Sequence, residues 1–95
     1  MIYVEFYKNK KGSLKGFNFK GHAEFEEYGK DIVCAAVSCA VRLCCNGLTE
    51  IAKKKVLNEE VEDEIVQIFL KALKLEVGLI EKSYSENVKL KVMEV

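Results

Sequence analysis

The side chains best suited to covalent chemistry in this 95-residue sequence are four cysteines and a single histidine. A cysteine thiolate attacks carbonyl groups when a base lies within hydrogen-bond reach of the thiol. His22 follows a glycine at the end of a strand-like segment, and Cys34 lies twelve residues further along the chain. That length of chain is enough to fold back and bring the two side chains together. The pair therefore predicts nucleophilic catalysis, although a lone histidine is more often incidental than catalytic.

The spacing of the cysteines argues against a metal site. Cys34, Cys39 and Cys44 are five residues apart, and a step of five turns a helical side chain by about 140°. Thiols that point three ways from one helix do not converge on one zinc ion. Cys45 is eleven positions beyond Cys34, about 16 Å along a helix axis, which is too far for a disulfide. We therefore expect no metal and no cofactor, and a redox sensor is disfavoured.

The helix that carries these cysteines is predicted to begin at Asp31 and to run to about Lys53. Its first half, residues 32–45, is apolar nearly all round, which is typical of a central buried helix. With Asp31 as N-cap, Cys34 takes the third helical position, where unpaired backbone N–H groups and the helix dipole stabilise a thiolate. An ionised Asp31 opposes that effect. The polar or soft residues of the helix share one stripe about 80° wide: Asp31, Cys34, Ser38, Arg42 and Cys45.

Two interpretations of this stripe stay open at this point. It is either the wall of a catalytic site, or it simply faces solvent or a dimer partner. Backbone N–H groups at the start of the helix are the expected oxyanion donors in the first interpretation.

The segments before this helix have the period of strands. Ile2, Val4 and Phe6 alternate with other residues, a turn follows, and residues 14–20 resume an extended pattern with Phe17 and Phe19 on one face. Residues 21–30 are bounded by glycines, carry charges and aromatics without a clear period, and are predicted to form a mobile connection.

The segments after the first helix predict a brief extended piece at 54–57, a second helix and a closing strand. Acidic residues at 59–64 suit a helix start, and the second helix is expected to end near Ser83. The closing strand has Val88, Leu90 and Val92 in alternation with lysines. The apolar stripe predicted for the second helix comprises Val61, Ile65, Ile68, Phe69, Ala72, Leu73, Leu79 and Ile80.

The resulting order is β-β-α-(short β)-α-β. This order predicts a two-layer α+β fold, in which a small sheet carries two helices on one face. The length allows one domain, residues 1–95, with a core small enough for a homodimer to be a reasonable expectation.

Composition excludes several functional classes. Lysine plus arginine and aspartate plus glutamate each number 15, and a neutral chain is poorly suited to direct nucleic-acid binding. The sequence shows no leader pattern. Its longest nearly uncharged run, residues 32–41, is too short to cross a bilayer. We therefore expect a cytoplasmic protein without a membrane partner.

Two short segments together resemble a known signature. They are Gly21-His22-Ala23 and Gly29-Lys30-Asp31-Ile32-Val33-Cys34-Ala35-Ala36-Val37-Ser38. This combination resembles the pattern of the ribosomal-processing cysteine protease family, Prp: Gly-His-Ala, a short loop, then Gly-x-Asp-x-x-Cys-Ala-x-x-Ser. The resemblance extends over essentially the whole chain. Two departures are the short stretch 54–60, where family members often have a hairpin, and Ser85 after Tyr84, where a proline is common.

The resemblance implies a cysteine endopeptidase that removes an N-terminal extension from a large-subunit bacterial ribosomal protein, cutting after a Phe-rich motif. By motif position, Cys34 is the nucleophile and His22 the general base. Asp31 and Ser38 support the site, and Gly21 and Gly29 give the loop its freedom. The family also implies a homodimer and a loop that orders on substrate binding.

Side chains of the predicted loop are the expected contacts for the substrate tail. Phe25 and Tyr28 suit a Phe-rich motif, and the carboxylates of Glu24, Glu26 and Glu27 suit a cationic tail, unless they merely solvate the loop. An alternative from another class is a catalytically silent, ribosome-associated binding protein of the same fold.

Overall fold

The computed structural model describes residues 1–21, 28–53 and 63–95, with the backbone alone for 28–31. Its first two strands, β1 (Ile2–Lys8) and β2 (Leu14–Lys20), form an antiparallel hairpin. Ile2, Val4 and Phe6 are fully buried, so the alternation predicted for β1 is confirmed. The side chain of Asn9 holds the turn, because its Oδ1 accepts hydrogen bonds from the backbone N–H groups of residues 11 and 13.

A bulge in β2 brings one more residue into the core than the sequence pattern predicts. Tyr7 pairs with Gly16, whereas the next residue, Lys8, pairs with Leu14. In a regular strand, Leu14 and Phe17 would point to opposite faces of the sheet. The extra residue of the bulge places them on the same face, and Leu14 is buried. Phe17 and Phe19 pack against the core but are only partly buried.

The last strand, β3 (Val88–Glu94), confirms the predicted closing strand and lies parallel to β1. The sheet order is β2-β1-β3, so β1 is central. Val88 pairs with Ile2 and is fully buried, while Val92 pairs with Phe6 and is partly exposed. The short strand predicted at 54–57 lies outside the described residues.

The first helix, α1 (Tyr28–Asn46), begins three residues earlier than predicted and continues as a π-helical segment, Gly47–Ile51. Asp31 is therefore a residue of the first turn and not the N-cap, and Gly29 is helical and not a loop residue. The capping preference of aspartate, on which the predicted start depends, is only about 1 kcal/mol. A preference of that size is easily outweighed where further residues gain helical backbone hydrogen bonds.

Helix α1 is buried on one side only, which corrects the prediction of a helix buried all round. Val33 and Val37 are fully buried, and Cys44 nearly so. On the opposite side Ile32 is 48 % and Leu43 is 73 % exposed. The helical segment Ile32–Ile51 is long and apolar enough to cross a membrane. The uncharged run 32–41 used in the sequence prediction underestimates its length. Its inner residues nevertheless belong to the core of the α+β domain.

The second helix, α2 (Glu64–Ser83), begins at an aspartate cap and ends where the sequence predicts. Asp63 Oδ1 accepts hydrogen bonds from the N–H groups of Ile65 and Val66. The predicted apolar stripe is only partly correct, because the sequence has more apolar residues than the sheet can cover. Leu73 and Ile80 are buried, whereas Ile65, Ile68 and Leu79 are exposed. The residues that face the core are Val66, Leu70, Leu73, Val77 and Ile80.

Both helices contribute to a single hydrophobic cluster with the inner face of the sheet. The fold is thus a three-stranded mixed sheet with two helices in the order β-β-α-α-β. The predicted α+β class is confirmed.

Candidate active site

Cys34 lies on α1, six residues after Tyr28 and thus about 9 Å along the helix axis. Its side chain is half-buried and packs against the hydrophobic core. Because helical Cα–Cβ bonds tilt toward the N-terminus, the thiol leans toward the end of α1 that is joined to residues 22–27. The nucleophile candidate and the segment that carries His22 therefore belong to the same end of the helix.

The earlier helix start changes how the thiolate would be stabilised. Cys34 is in the second turn, not at the third helical position as predicted. The unpaired N–H groups belong to the first turn, and the dipole effect fades within that turn. Help from the helix terminus, including oxyanion donors next to Cys34, is therefore weaker than the sequence argument assumed. If Cys34 is the nucleophile, its activation depends correspondingly more on a neighbouring base.

Gly21 is the last described residue before His22, and its backbone has a conformation that favours glycine. Its φ angle is +92°, and a Cβ added there would overlap the carbonyl oxygen of Met1. The chain thus enters segment 22–27 from the Met1 end of the sheet, a contact that sequence reasoning missed. Gly21 is needed for this close approach rather than for freedom of the loop. His22 itself lies outside the described residues, so its pairing with Cys34 stays a prediction.

The stripe predicted on α1 lies along one flank of the helix, between its core side and its exposed side. Cys34, Ser38 and Cys45 are half-buried, and Arg42 is exposed. Ser38 is one turn beyond Cys34 on this flank. Asp31 belongs to the first turn, and its side chain is outside the described part of the structure.

The other thiols differ from Cys34 in burial and chemistry. Burial, with a smaller contribution from neighbouring Cys45, raises the pKa of Cys44 to about 11. Cys44 Sγ donates a hydrogen bond to the Phe69 carbonyl oxygen at 3.5 Å. Burial also raises the pKa of Cys45. Cys39 is exposed. At neutral pH Cys44 and Cys45 are therefore protonated, weak nucleophiles.

Metal and redox chemistry gain no support from the part of the chain that is described. Within residues 1–21, 32–53 and 63–95, no three His, Cys, Asp or Glu side chains come close enough to hold a metal ion. Cys34 and Cys45 lie eleven positions apart on one continuous helix, which holds their Cα atoms about 16 Å apart. A disulfide needs less than about 7 Å.

The predicted substrate contacts lie largely outside the described residues. These are Glu24, Phe25, Glu26 and Glu27. Tyr28 is the first residue of α1, so the connection between β2 and α1 is shorter than the predicted mobile segment 21–30.

Comparison with known proteins decides the family. The family described as cysteine protease Prp matches residues 1–89. This chain belongs to the Prp family. It is accordingly a cysteine protease, and the predicted enzyme class is confirmed.

Curated Prp relatives match along nearly their whole length. The ribosomal processing cysteine protease Prp of Staphylococcus aureus is 25 % identical over 103 residues, which cover 95 % of this chain and 97 % of that protein. The Prp of Bacillus subtilis is 24 % identical and covers 94 % of this chain and 95 % of its own length.

Solved structures show the same fold. A protein from Streptococcus mutans matches with a TM-score of 0.89 and 28 % identity, over 100 % of this chain and 99 % of its own. The essential ribosomal processing protease Prp from S. aureus, with a covalently linked product peptide, matches with a TM-score of 0.87 and 25 % identity, over 97 % of this chain and 99 % of its own.

Proposed function

We propose that this Prp protein is an endopeptidase that removes the N-terminal extension of a large-subunit ribosomal protein, cutting after a Phe-rich motif. Cys34 is the nucleophile and His22 the general base. The observation that carries the proposal is the half-buried Cys34 thiol on the flank of α1, at the end joined to His22. The curated relatives are named ribosomal processing cysteine proteases, which supports the substrate class.

The proposed chemistry is acyl transfer. His22 takes the Cys34 proton, and the thiolate attacks the carbonyl carbon of the scissile peptide bond. The tetrahedral intermediate collapses as the C–N bond breaks, and His22 gives its proton to the departing amine. A water molecule then hydrolyses the Cys34 thioester with His22 again as base, which releases the N-terminal fragment and restores the thiol.

Asp31 and Ser38 are the proposed supporting residues. Both belong to α1 on the Cys34 stripe, one within a turn before Cys34 and the other a turn after it. Helical residues three or four apart are neighbours on the surface. Asp31 is suited to orienting an imidazolium that approaches Cys34, and Ser38 to a hydrogen bond with the substrate backbone.

The assignment of Cys34 is tested by measuring cleavage of a synthetic tail peptide by variants in which one cysteine at a time is replaced. Cys34→Ala and Cys34→Ser should abolish cleavage while the circular-dichroism spectrum and melting temperature are retained. Cys39→Ala is the matched control, because it removes an exposed thiol from the same helix. Normal cleavage by Cys34→Ala would refute the nucleophile, and no cleavage by the wild-type protein would favour the silent binding protein of the same fold.

Capture of the tail is proposed to use the loop carboxylates Glu24, Glu26 and Glu27, with Phe25 and Tyr28 closing over the Phe-rich motif. Ribosomal proteins are generally basic, so the carboxylates would attract the tail over the Debye length of about 8–10 Å. Changing the three glutamates to glutamine should lower kcat/KM with less effect on kcat. Added salt should slow the wild type more than the triple variant, and equal salt dependence would remove the steering role.

A homodimer is part of the proposal, and the outer face of α1 supports it. This face consists of Ile32, Ala35, Cys39 and Leu43, which share an arc of about 80° and are all exposed. The core side of α1 is already covered, so an apolar outer face has no partner within the described chain. Beside it, a groove of about 590 Å³ runs between α1 and α2, lined by Leu43, Phe69 and several small residues. A second copy placed there covers both apolar features.

Light scattering on the purified chain tests the dimer. The wild type should have twice the mass of one chain. Leu43→Lys should give monomers, whereas Tyr3→Lys, an exposed position on the sheet, should leave the dimer intact. A monomeric wild type, or a dimer unaffected by Leu43→Lys, would contradict this interface. The proposed location of the dimer is the cytoplasm, where ribosomes are assembled.

A further inference from the structure

A cleft of about 830 Å³ lies between α2, the start of β2 and the end of β3. It is at the Lys8 end of β1, whereas Gly21 and Met1 are at the other end, about 20 Å away along the strand. The cleft is therefore remote from the point where the chain enters the segment that carries His22. Its floor and one wall are aliphatic, formed by Leu14, Leu75, Leu79, Leu90 and Val92.

The charge of the cleft is positive although the chain as a whole is neutral. Four lysines and one glutamate line it: Lys8, Lys71, Lys74, Lys82 and Glu81. The carboxylate of Glu81 is already engaged, because its Oε2 accepts a hydrogen bond from the Leu90 N–H at 2.9 Å. Among the described residues, no carboxylate forms an ion pair with these lysines. The cleft thus presents uncompensated positive charge to an occupant.

The same cleft exposes aliphatic surface between the lysines. Leu75 is 66 % and Leu79 is 50 % exposed, and the two residues are one turn apart on α2. Val92 adds a third exposed aliphatic side chain from the sheet. Contiguous apolar surface with a charged rim is typical of an interaction site.

Gly78 is the second, independent indication of an occupant. It lies within α2 between Leu75 and Leu79, where glycine costs about 1 kcal/mol relative to alanine. An added Cβ would meet only Leu90 Cδ2, at an ordinary 3.8 Å. The packing of the described chain therefore does not require glycine here. Without a side chain at this position, the α2 backbone stays open to close approach by an occupant of the cleft.

We propose that this cleft, lined by Lys8, Lys71, Lys74, Lys82 and the aliphatic floor, binds an extended acidic segment of a partner protein that also carries large aliphatic side chains. The acidic groups pair with the lysines, the aliphatic side chains contact Leu75 and Leu79, and the backbone passes over Gly78. A basic ribosomal tail does not fit, because the lysines repel it. Nucleic acid fits poorly, because none of the described residues that line the cleft is an aromatic or an arginine suited to base stacking.

A fluorescein-labelled peptide, Asp-Glu-Leu-Glu-Asp-Leu-Glu-Asp, is the probe for anisotropy titrations at low and high salt. We expect saturable binding that weakens with salt. It should weaken about tenfold when Lys71, Lys74 and Lys82 are changed to glutamine together. The matched control changes Lys20, Lys89 and Lys91, which line another surface, and should retain binding. Gly78→Met should also weaken binding about tenfold with α-helical content retained.

Several results would overturn the inference. One is equal loss of binding in the two triple-lysine variants, since that indicates unspecific attraction. Another is unchanged binding when the peptide leucines are replaced by serine. If single-stranded RNA displaces the peptide and depends on the same lysines, the occupant of the cleft is nucleic acid and not an acidic protein segment. The variant with Lys71, Lys74 and Lys82 changed to glutamine should cleave the ribosomal tail at the wild-type rate. Loss of peptide binding to the cleft can therefore be told apart from loss of the proposed protease activity.

Discussion

Alkylation of the four cysteines with iodoacetamide should follow an order set by their burial. Cys44 is 4 % exposed, and its thiol is hydrogen-bonded to a backbone carbonyl oxygen. Cys45 is half-buried with a raised pKa, and Cys39 is exposed. In the monomeric Leu43→Lys variant, where the outer face of α1 is uncovered, we expect Cys39 and the proposed nucleophile Cys34 to react first, Cys45 to react more slowly, and Cys44 to react last.

The magnitude for Cys44 follows from its pKa. Alkylation requires the thiolate. Burial raises the pKa of Cys44 from 9.0 to about 11, and two pKa units reduce the thiolate at neutral pH about 100-fold. Steric shielding of the buried sulfur adds to this factor. The greater nucleophilicity of a more basic thiolate offsets part of this factor. Labelling of Cys44 in the folded protein should therefore be more than about tenfold slower than labelling of Cys39.

Mass spectrometry of digested time points gives the four rates separately. In concentrated urea the rates should converge, which controls for the intrinsic reactivity of each peptide. If Cys44 in the folded protein reacts within about tenfold of Cys39, the burial of Cys44 is wrong, and with it the orientation of α1. If Cys34 reacts no faster than Cys45, a base does not activate it.

Three further perturbations test the fold by urea titration. In the wild type, the folded Cys44 thiol keeps its proton above pH 9.0 while the unfolded chain releases it, so the free energy of unfolding should fall by about 2–3 kcal/mol up to about pH 11. Cys44→Ala should remove this fall, and equal pH slopes for the two proteins would count against the raised pKa. Gly21→Ala should destabilise the protein by more than about 1 kcal/mol because of its positive φ and the overlap with Met1. Gly78→Ala should stabilise the protein by up to about 1 kcal/mol. A stability change of the same sign in both variants would contradict the crowded site at Gly21 or the open site at Gly78. Asp63→Ala should lower stability by about 1 kcal/mol through loss of the α2 cap, and an unchanged midpoint would show that the cap is not formed.

The strands could be predicted from the sequence because a two-residue period is a strong local signal. Ile2, Val4 and Phe6 are all fully buried. What the period could not show was the bulge that brings Leu14 into the core, since it depends on the register between β1 and β2. The parallel pairing of β3 with β1 also depends on the path of both helices and has no local signature.

Helix boundaries and faces were less predictable, for physical reasons visible in α1. Its start depends on a balance of about 1 kcal/mol between capping at Asp31 and further helical turns, so the N-cap prediction failed. Its composition is apolar on both sides, and composition cannot show whether a side is covered by the same chain or by a partner. Ile32 and Leu43 are therefore exposed in the single chain.

The candidate site was predicted in part. The stripe on α1 follows from helical geometry alone, and Cys34 and Ser38 lie on the half-buried flank that the geometry implies. The approach of Gly21 to Met1 could not be predicted, because it joins residues twenty positions apart through the sheet. The link between His22 and Cys34 came from chemical reasoning and from the Prp signature.

The most direct test of the central claim is covalent trapping by a peptide of the ribosomal tail that ends in a phenylalanine chloromethyl ketone. We expect one adduct per chain, located on Cys34 by peptide mapping. The adduct should be lost in Cys34→Ala, slowed in His22→Ala and unchanged in Cys39→Ala. Adducts on Cys39 or Cys45, or full trapping without the Cys34 thiol, would contradict the assignment of Cys34 as the nucleophile.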